Sequence, residues 1–193
     1  MDLQAIFAGC TAKELLLAEP MAKHTSFRIG GPADALAQPA NEAELAALLQ
    51  RAAEHAVPVT LIGNGSNLLV RDKGIRGLVI KLGNLFSSVA AEGNTLTFGC
   101  GVSLALASKK AASLSLSGME FAVGIPGTIG GAVYMNAGAY DGEMAKVVTS
   151  VRVMDGQGKS SELKASELDF AYRHTALQNS GLIVTSVTCT LQP

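Results

Sequence analysis

The sequence predicts an α+β fold arranged in two lobes, residues 1–84 and 85–193. Two observations predict it. In the first half an amphipathic helical stretch lies between apolar, strand-like runs. In the second half a helix lies among short runs that alternate like antiparallel strands. The chain of 193 residues is 48% hydrophobic and 16% charged, enough apolar material for a core and too little charge for a disordered tail. No internal repeat or low-complexity linker separates the halves.

Taken in order, residues 2–17 read as a helix, with Leu3, Phe7, Leu15 and Leu16 as contact points and Gly9 as a weak centre. From His24, HTSFRIGGPADALAQP reads as a short extended piece, a Gly-Gly-Pro turn and a strand. Asn41 followed by Glu44 resembles a capping box. Leu45, Leu48, Leu49 and Ala52 then recur at helical spacing, and Pro58 marks the exit. The runs ending at Ile62 and spanning 78–82 are apolar strands, so this region reads as a βαβ unit. Next come a strand in NTLTFGCGV and a helix over Ser103–Leu116, with Leu104, Ala107, Ala111 and Leu114 on one face. Gly118 is the expected helix stop. Alternation on both sides of Asp155-Gly156 signals a hairpin. Ile183, Thr185, Val187, Cys189 and Leu191 line one face of a last strand.

Composition excludes several function classes. Fifteen basic and sixteen acidic residues give a net charge of −1 with no basic stripe, which argues against nucleic acid as a partner. Cys10, Cys100 and Cys189 lie far apart, without metal or disulfide spacing, and read as reduced thiols. His24, His55 and His174 form no ligand pattern, so no metal is expected. No window approaches a membrane span and the apolar run at Leu15–Ala18 is too short for a signal peptide. The expected location is the cytoplasm.

Two glycine clusters carry the chemistry. Gly63, Asn64, Gly65, Ser66, Asn67 and Leu68 directly follow an apolar strand. Successive N–H groups in such a turn make a nest for an anion, typically a pyrophosphate. The dinucleotide fingerprint fails because Leu68 takes the third glycine position, so a Rossmann domain is disfavoured. Taken alone, this string is also an ordinary turn. The second cluster holds glycines 118, 124, 127, 130, 131 and 138 with almost no charge. Such a segment brings backbone close to something, whether a ligand or a packed neighbour. Two clusters in one small chain favour a clamp on a dinucleotide.

Four strings in order, HTSFRIGGPAD, LIGNGSNLLVRD, GMEFAVGIPGTIGGAVYMNAGAY and LDFAYRHTALQ, closely resemble the bacterial UDP-N-acetylenolpyruvoylglucosamine reductases (MurB), on their shorter type II branch. The resemblance runs from about His24 to Leu191. It implies a PCMH/VAO-type FAD-binding fold of two α+β subdomains with noncovalent FAD between them. Gly63 to Leu68 are implied to hold the pyrophosphate. Gly124, Ile125, Pro126, Gly127, Thr128, Gly130 and Gly131 are implied to pack along the cofactor, with Asn136, Gly138 and Ala139 close by. The implied activity is NADPH-dependent reduction of UDP-N-acetylglucosamine enolpyruvate to UDP-N-acetylmuramate in cell-wall synthesis, by an enzyme monomeric at full length. Arg173 matches the catalytic arginine, whose planar fork suits a carboxylate gaining charge, and Tyr172 is expected at the substrate. His174 reads as a plain exposed histidine, and Arg28 and Arg71 are not assigned.

The family's C-terminal substrate domain, with its proton-donating serine and a late glutamate, has no counterpart here. The chain therefore reads as the FAD-binding portion, expected to complete the reaction poorly. Alternatives are another flavin oxidoreductase of the same fold and an FAD-binding module without chemistry.

Overall fold

The computed structural model describes residues 2–83 and 86–193. The chain divides into two units: Met1–Leu85 with Gly156–Lys159, and Phe86–Asp155 with Ser160–Pro193. The expected boundary between Asn84 and Leu85 lies outside the described residues.

In the first unit the helix expected over 2–17 is reduced to α1, Leu3–Ile6, capped by Asp2, whose Oδ1 accepts from the Ala5 amide at 3.1 Å. Gly9 at φ +75° turns the chain away, and residues 16–20 become strand β1, Leu16–Pro20. The reason is non-local: Leu16 and Leu17 pair antiparallel with Leu36 and Ala35 of β2, Pro32–Ala37. The expected extended piece at His24 is instead a turn, entered through a 3₁₀ segment at Met21–Lys23.

Helix α2, Glu42–Glu54, forms as its cap signals foretell. Asn41 Oδ1 accepts from the Glu44 amide at 3.0 Å. Glu44 Oε2 reaches back to the Ala40 amide at 2.9 Å, one residue earlier than in a standard capping box. Leu45, Leu48, Leu49 and Ala52 are buried as one stripe. Strands β3, Val59–Ile62, and β4, Ile75–Lys81, complete a sheet of order β1-β2-β4-β3 in which β2, β4 and β3 run parallel. Leu36, Val79 and Ile62 join Met21, Ala33 and Val70 in one buried cluster. Residues from the Met21 turn and the β3–β4 loop therefore cover that part of the sheet.

The second unit is built on an antiparallel sheet of order β10-β9-β11-β6-β5. Its strands are β5 (Val89–Glu92), β6 (Thr95–Gly99), β9 (Val148–Met154), β10 (Ser160–Lys164) and β11 (Ile183–Thr190). Leu96, Phe98, Val151, Val153, Val187 and Cys189 are buried in this sheet. Helix α4 (Ile129–Tyr134) packs on β11 and β6 and against α3 (Leu104–Ser113). A polar face carries Ser150, Arg152, Ser186 and Thr188. A two-strand ribbon, β7 (Gly138–Ala139) and β8 (Gly142–Glu143), follows α4.

Two local expectations shift. Helix α3 ends before Gly118: Ser115 takes the left-handed conformation at φ +56°. Its amide bonds to Ala112 and that of Leu116 to Ala111, each at 3.0 Å, a Schellman motif built on serine. Leu114 consequently leaves the buried face and is 39% exposed. The β9–β10 connection is longer than a two-residue turn, since Met154 pairs with Ser160 and residues 155–159 form the loop. The alternation of β11 holds, with Ile183, Thr185, Val187, Cys189 and Leu191 all buried.

Candidate functional site

In the first unit, residues 63–68 leave the C-terminal end of β3, the end of a parallel sheet where ligands gather. Gly65 is buried at φ +65°, and a Cβ there would lie 2.0 Å from the His24 carbonyl oxygen. The Ser26 amide donates to the Gly65 carbonyl at 3.2 Å, so this glycine seats the loop on the 24–28 turn. Leu68 packs against the buried cluster and anchors the loop's far end. Asn64 and Asn67 are exposed.

In the second unit the glycines of 124–131 divide by cause. Gly127 has φ +136°, a backbone conformation that side chains avoid. Gly130 donates its amide to the Cys100 carbonyl at 3.0 Å, and a Cβ would stand 2.8 Å from the Cys100 Cβ. Its bareness is a packing requirement. Gly124 and Gly131 have no such cause: both are exposed, neither has positive φ, and nothing closer than Thr128 Oγ1 at 3.5 Å would meet a Cβ at Gly131. At Gly124 no atom of the described residues lies within 4 Å of an added Cβ. Thr128 is buried and caps α4, its Oγ1 accepting from the Gly131 amide at 3.4 Å. Ile125 is half-buried and Pro126 exposed.

Asn136 is only 2% exposed and its side chain is fully engaged. Nδ2 donates to Glu143 Oε2 at 3.2 Å and to the Ala171 carbonyl at 3.0 Å, and Oδ1 accepts from the Ala145 amide at 3.0 Å. It ties the end of α4, the β7–β8 ribbon and the 171–174 turn into one assembly. That turn is a tight bridge, Ala171 and His174 exchanging N–H···O bonds of 3.1 Å. Tyr172 and Arg173 stand at its tip. Arg173 adopts φ +54°, donates Nη2 to the Gly138 carbonyl at 3.0 Å and lies 5.5 Å over the Tyr172 ring. Gln178 Nε2 binds the Arg173 carbonyl at 3.2 Å and the Tyr134 carbonyl at 3.1 Å, fixing the turn to α4. His174 is exposed and bonds Gln178 Oε1 at 3.1 Å.

The structure thus brings Asn136, Gly138, Ala139, Tyr172 and Arg173 around one cleft of about 390 Å³. Sequence reading missed five of its walls: Tyr140, Asp141, Gly142, Glu143 and Lys146. Tyr140 and Asp141 both have positive φ, 51° and 62°, and close the ribbon as a two-residue turn normally given to Asn-Gly. Tyr140 is 94% exposed despite that strained backbone. The Tyr-Asp-Gly run after Gly138-Ala139 is the signal that marks this turn. Among the described residues no cluster of three or more His, Cys, Asp or Glu could hold a metal, and no helix is long and apolar enough to cross a membrane.

A family model for the FAD binding domain matches residues 33–164, which includes both glycine clusters. The chain belongs to the FAD-binding domain family. Its fold agrees with that membership. This FAD-binding domain is similar to the crystal structure of the UDP-N-acetylenolpyruvylglucosamine reductase (MurB) from Thermus caldophilus, with a TM-score of 0.79 and 38% identity over 93% of the chain and 63% of that protein. It is 50% identical over 169 residues to the UDP-N-acetylenolpyruvoylglucosamine reductase of Heliobacterium modesticaldum, covering 88% of the chain and 54% of the relative. A 6-hydroxy-D-nicotine oxidase from Arthrobacter nicotinovorans shares the fold at TM-score 0.72 and 20% identity, over 94% of the chain and 42% of that protein. The chain spans little more than half the length of the reductases it matches.

Proposed function

We propose that this domain is the FAD-binding portion of a UDP-N-acetylenolpyruvoylglucosamine reductase, which uses NADPH to reduce UDP-N-acetylglucosamine enolpyruvate for peptidoglycan. The observation that carries the cofactor reading is the bareness of Gly124 and Gly131. Nothing among the described residues demands glycine there, which supports a ligand lying against the backbone as the cause. The backbone of Gly63–Leu68 holds the anionic diphosphate of FAD, and Gly124–Gly131 packs along the cofactor. Bound flavin supplies hydride-transfer chemistry; the surrounding backbone orients it and excludes water.

Arg173 binds the substrate carboxylate and stabilises negative charge that grows as the double bond is reduced, a contribution larger in the transition state than in the ground state. Its bond to the Gly138 carbonyl and its place over Tyr172 hold the guanidinium at the cleft mouth before substrate arrives. Tyr172 walls the substrate site. Asn136 acts at one remove, fixing the elements that carry Arg173 and Gly138.

The test is a visible absorption spectrum of the purified chain after FAD is added and excess removed. A flavin band that stays with the protein and is released on denaturation supports noncovalent binding. Bleaching by NADPH in the same cuvette supports the reductase reading. A protein that remains colourless, while a longer chain containing this domain retains flavin, overturns binding by this portion alone.

A further inference from the structure

The first unit contains a chain of polar groups that no reading above uses. His24 Nε2 lies 3.0 Å from Glu19 Oε1, and His24 Nδ1 lies 3.2 Å from Lys81 Nζ. An ammonium can only donate, so Nδ1 accepts, and the proton of the neutral ring sits on Nε2, directed at the carboxylate. The order is Lys81 to His24 to Glu19. The ring and the carboxylate are nearly enclosed, at 10% and 13% side-chain exposure. Glu19 also pairs with Lys23 at 3.4 Å.

Lys81 is the unusual member. It is half-buried, and no carboxylate among the described residues lies within ion-pair distance of its ammonium. Burial alone holds its basicity below that of an ordinary lysine. An ammonium so placed is costly unless an anion reaches it. Its position says where such an anion comes from. Lys81 is the last residue of β4 and pairs with Ile62, the last residue before the Gly63–Leu68 loop. Its hydrogen-bond partner, His24, lends its carbonyl to the seat of Gly65 in the same loop. The lysine, the ring that holds it and the glycine loop therefore meet at one end of the parallel sheet.

We propose that Lys81 is a further cofactor-binding residue, a cation that contacts the diphosphate of the bound dinucleotide, with His24 and Glu19 as positioning residues that hold its side chain. The inference rests on the FAD reading above and deepens it. The nest supplies backbone dipoles, and Lys81 adds a full positive charge.

The experiment titrates FAD and riboflavin, which lacks phosphate, into the unsubstituted chain and into Lys81→Met and Lys81→Arg, at low and high salt. Melting curves report folding, and Lys81→Gln replaces the methionine variant if that one does not fold. Lys81→Met is expected to weaken FAD about tenfold, to reduce the salt dependence of FAD binding, and to leave riboflavin unchanged. Lys81→Arg is expected to bind FAD within about threefold of the unsubstituted chain, because the charge remains. Equal FAD affinity and salt dependence in Lys81→Met, an equal loss for riboflavin, or an equal loss in Lys81→Arg would overturn the assignment. Failure of the flavin reading is distinguishable, because the unsubstituted chain then binds neither compound, and the Lys81 assignment falls with it.

Discussion

Replacing Gly131 by alanine is expected to stabilise the protein and yet weaken its hold on FAD. Gly131 lies in the first turns of α4 with ordinary helical φ and is exposed. Its added methyl would meet Thr128 Oγ1 at 3.5 Å, ordinary van der Waals contact, and nothing closer. Alanine in a helix is favoured over glycine by up to about 1 kcal/mol. In a helix as short as Ile129–Tyr134 about half of that is expected. In a protein of this size about 0.5 kcal/mol raises Tm by roughly 1–2 °C. On the proposed placement of FAD the same methyl intrudes on the cofactor, and a loss of about 1.4 kcal/mol in affinity is a tenfold rise in Kd. Gly130→Ala supplies the contrast. Its methyl would lie 2.8 Å from the Cys100 Cβ, so overpacking of about 1–3 kcal/mol lowers Tm. Differential scanning fluorimetry without ligand, then fluorescence titration with FAD, reads both terms. An unchanged FAD Kd in Gly131→Ala would refute the argument from bareness, and a fall in its Tm would refute the packing account of α4.

The remaining predictions concern strain, buried polar groups and titration. Tyr140→Asn with Asp141→Gly gives the β7–β8 turn the residues its positive φ values favour; an apo stability gain of about 1 kcal/mol in urea is expected, and a loss shows that the tyrosine contributes more than its strain costs. Asn136→Ala removes three part-buried hydrogen bonds made by a buried side chain; a loss of about 1–3 kcal/mol by denaturant unfolding is expected. All three cysteines are buried and none is in a disulfide, and burial pushes the Cys189 thiol up to about 12. A thiol reagent should find them slow to react in the native state, with Cys189 labelled only at the rate of global unfolding. Burial pulls the Glu19 carboxyl up, but its hydrogen bonds with His24 and Lys23 and the charge of Lys23 outweigh it and hold the folded value below the ordinary one. Glu19 thus contributes stability above the unfolded carboxyl pKa of about 4.3, lost as pH falls through the folded value. Glu19→Gln should flatten the acid limb of a stability-versus-pH curve.

Legibility in the sequence followed the range of the forces involved. Helix α2 could be read in full because its cap, Asn41, and its stripe, Leu45 to Ala52, are local signals. The pattern at 2–17 misled because Leu16 and Leu17 satisfy their backbone across β2, a partner twenty residues away in sequence terms that periodicity cannot see. The helix stop was misplaced because Ser115 performs a turn usually given to glycine, while Gly118 stood nearby as the conventional signal. Around the site, Arg173 and Tyr172 were legible only through a family motif. The Lys81–His24–Glu19 chain was not legible at all, since its members come from β1, the following turn and the end of β4. The glycines show the same division: spacing marks all of them, but only three dimensions separate Gly130, bare for packing, from Gly131.

The loop 63–74 crosses from β3 to the parallel strand β4 with no helix in between. Among the described residues β3 is the sheet's edge and pairs only with β4. Its amides therefore owe their protection from solvent exchange to a connection whose order comes from docking onto the 24–28 turn. A ligand seated on that loop lowers the frequency with which the edge opens. Amide exchange at Thr60 and Ile62, whose backbone groups face β4, should slow when the site fills, although neither is proposed to touch the ligand. The sheet edge becomes a built-in reporter of occupancy, one that needs no label and no catalytic turnover.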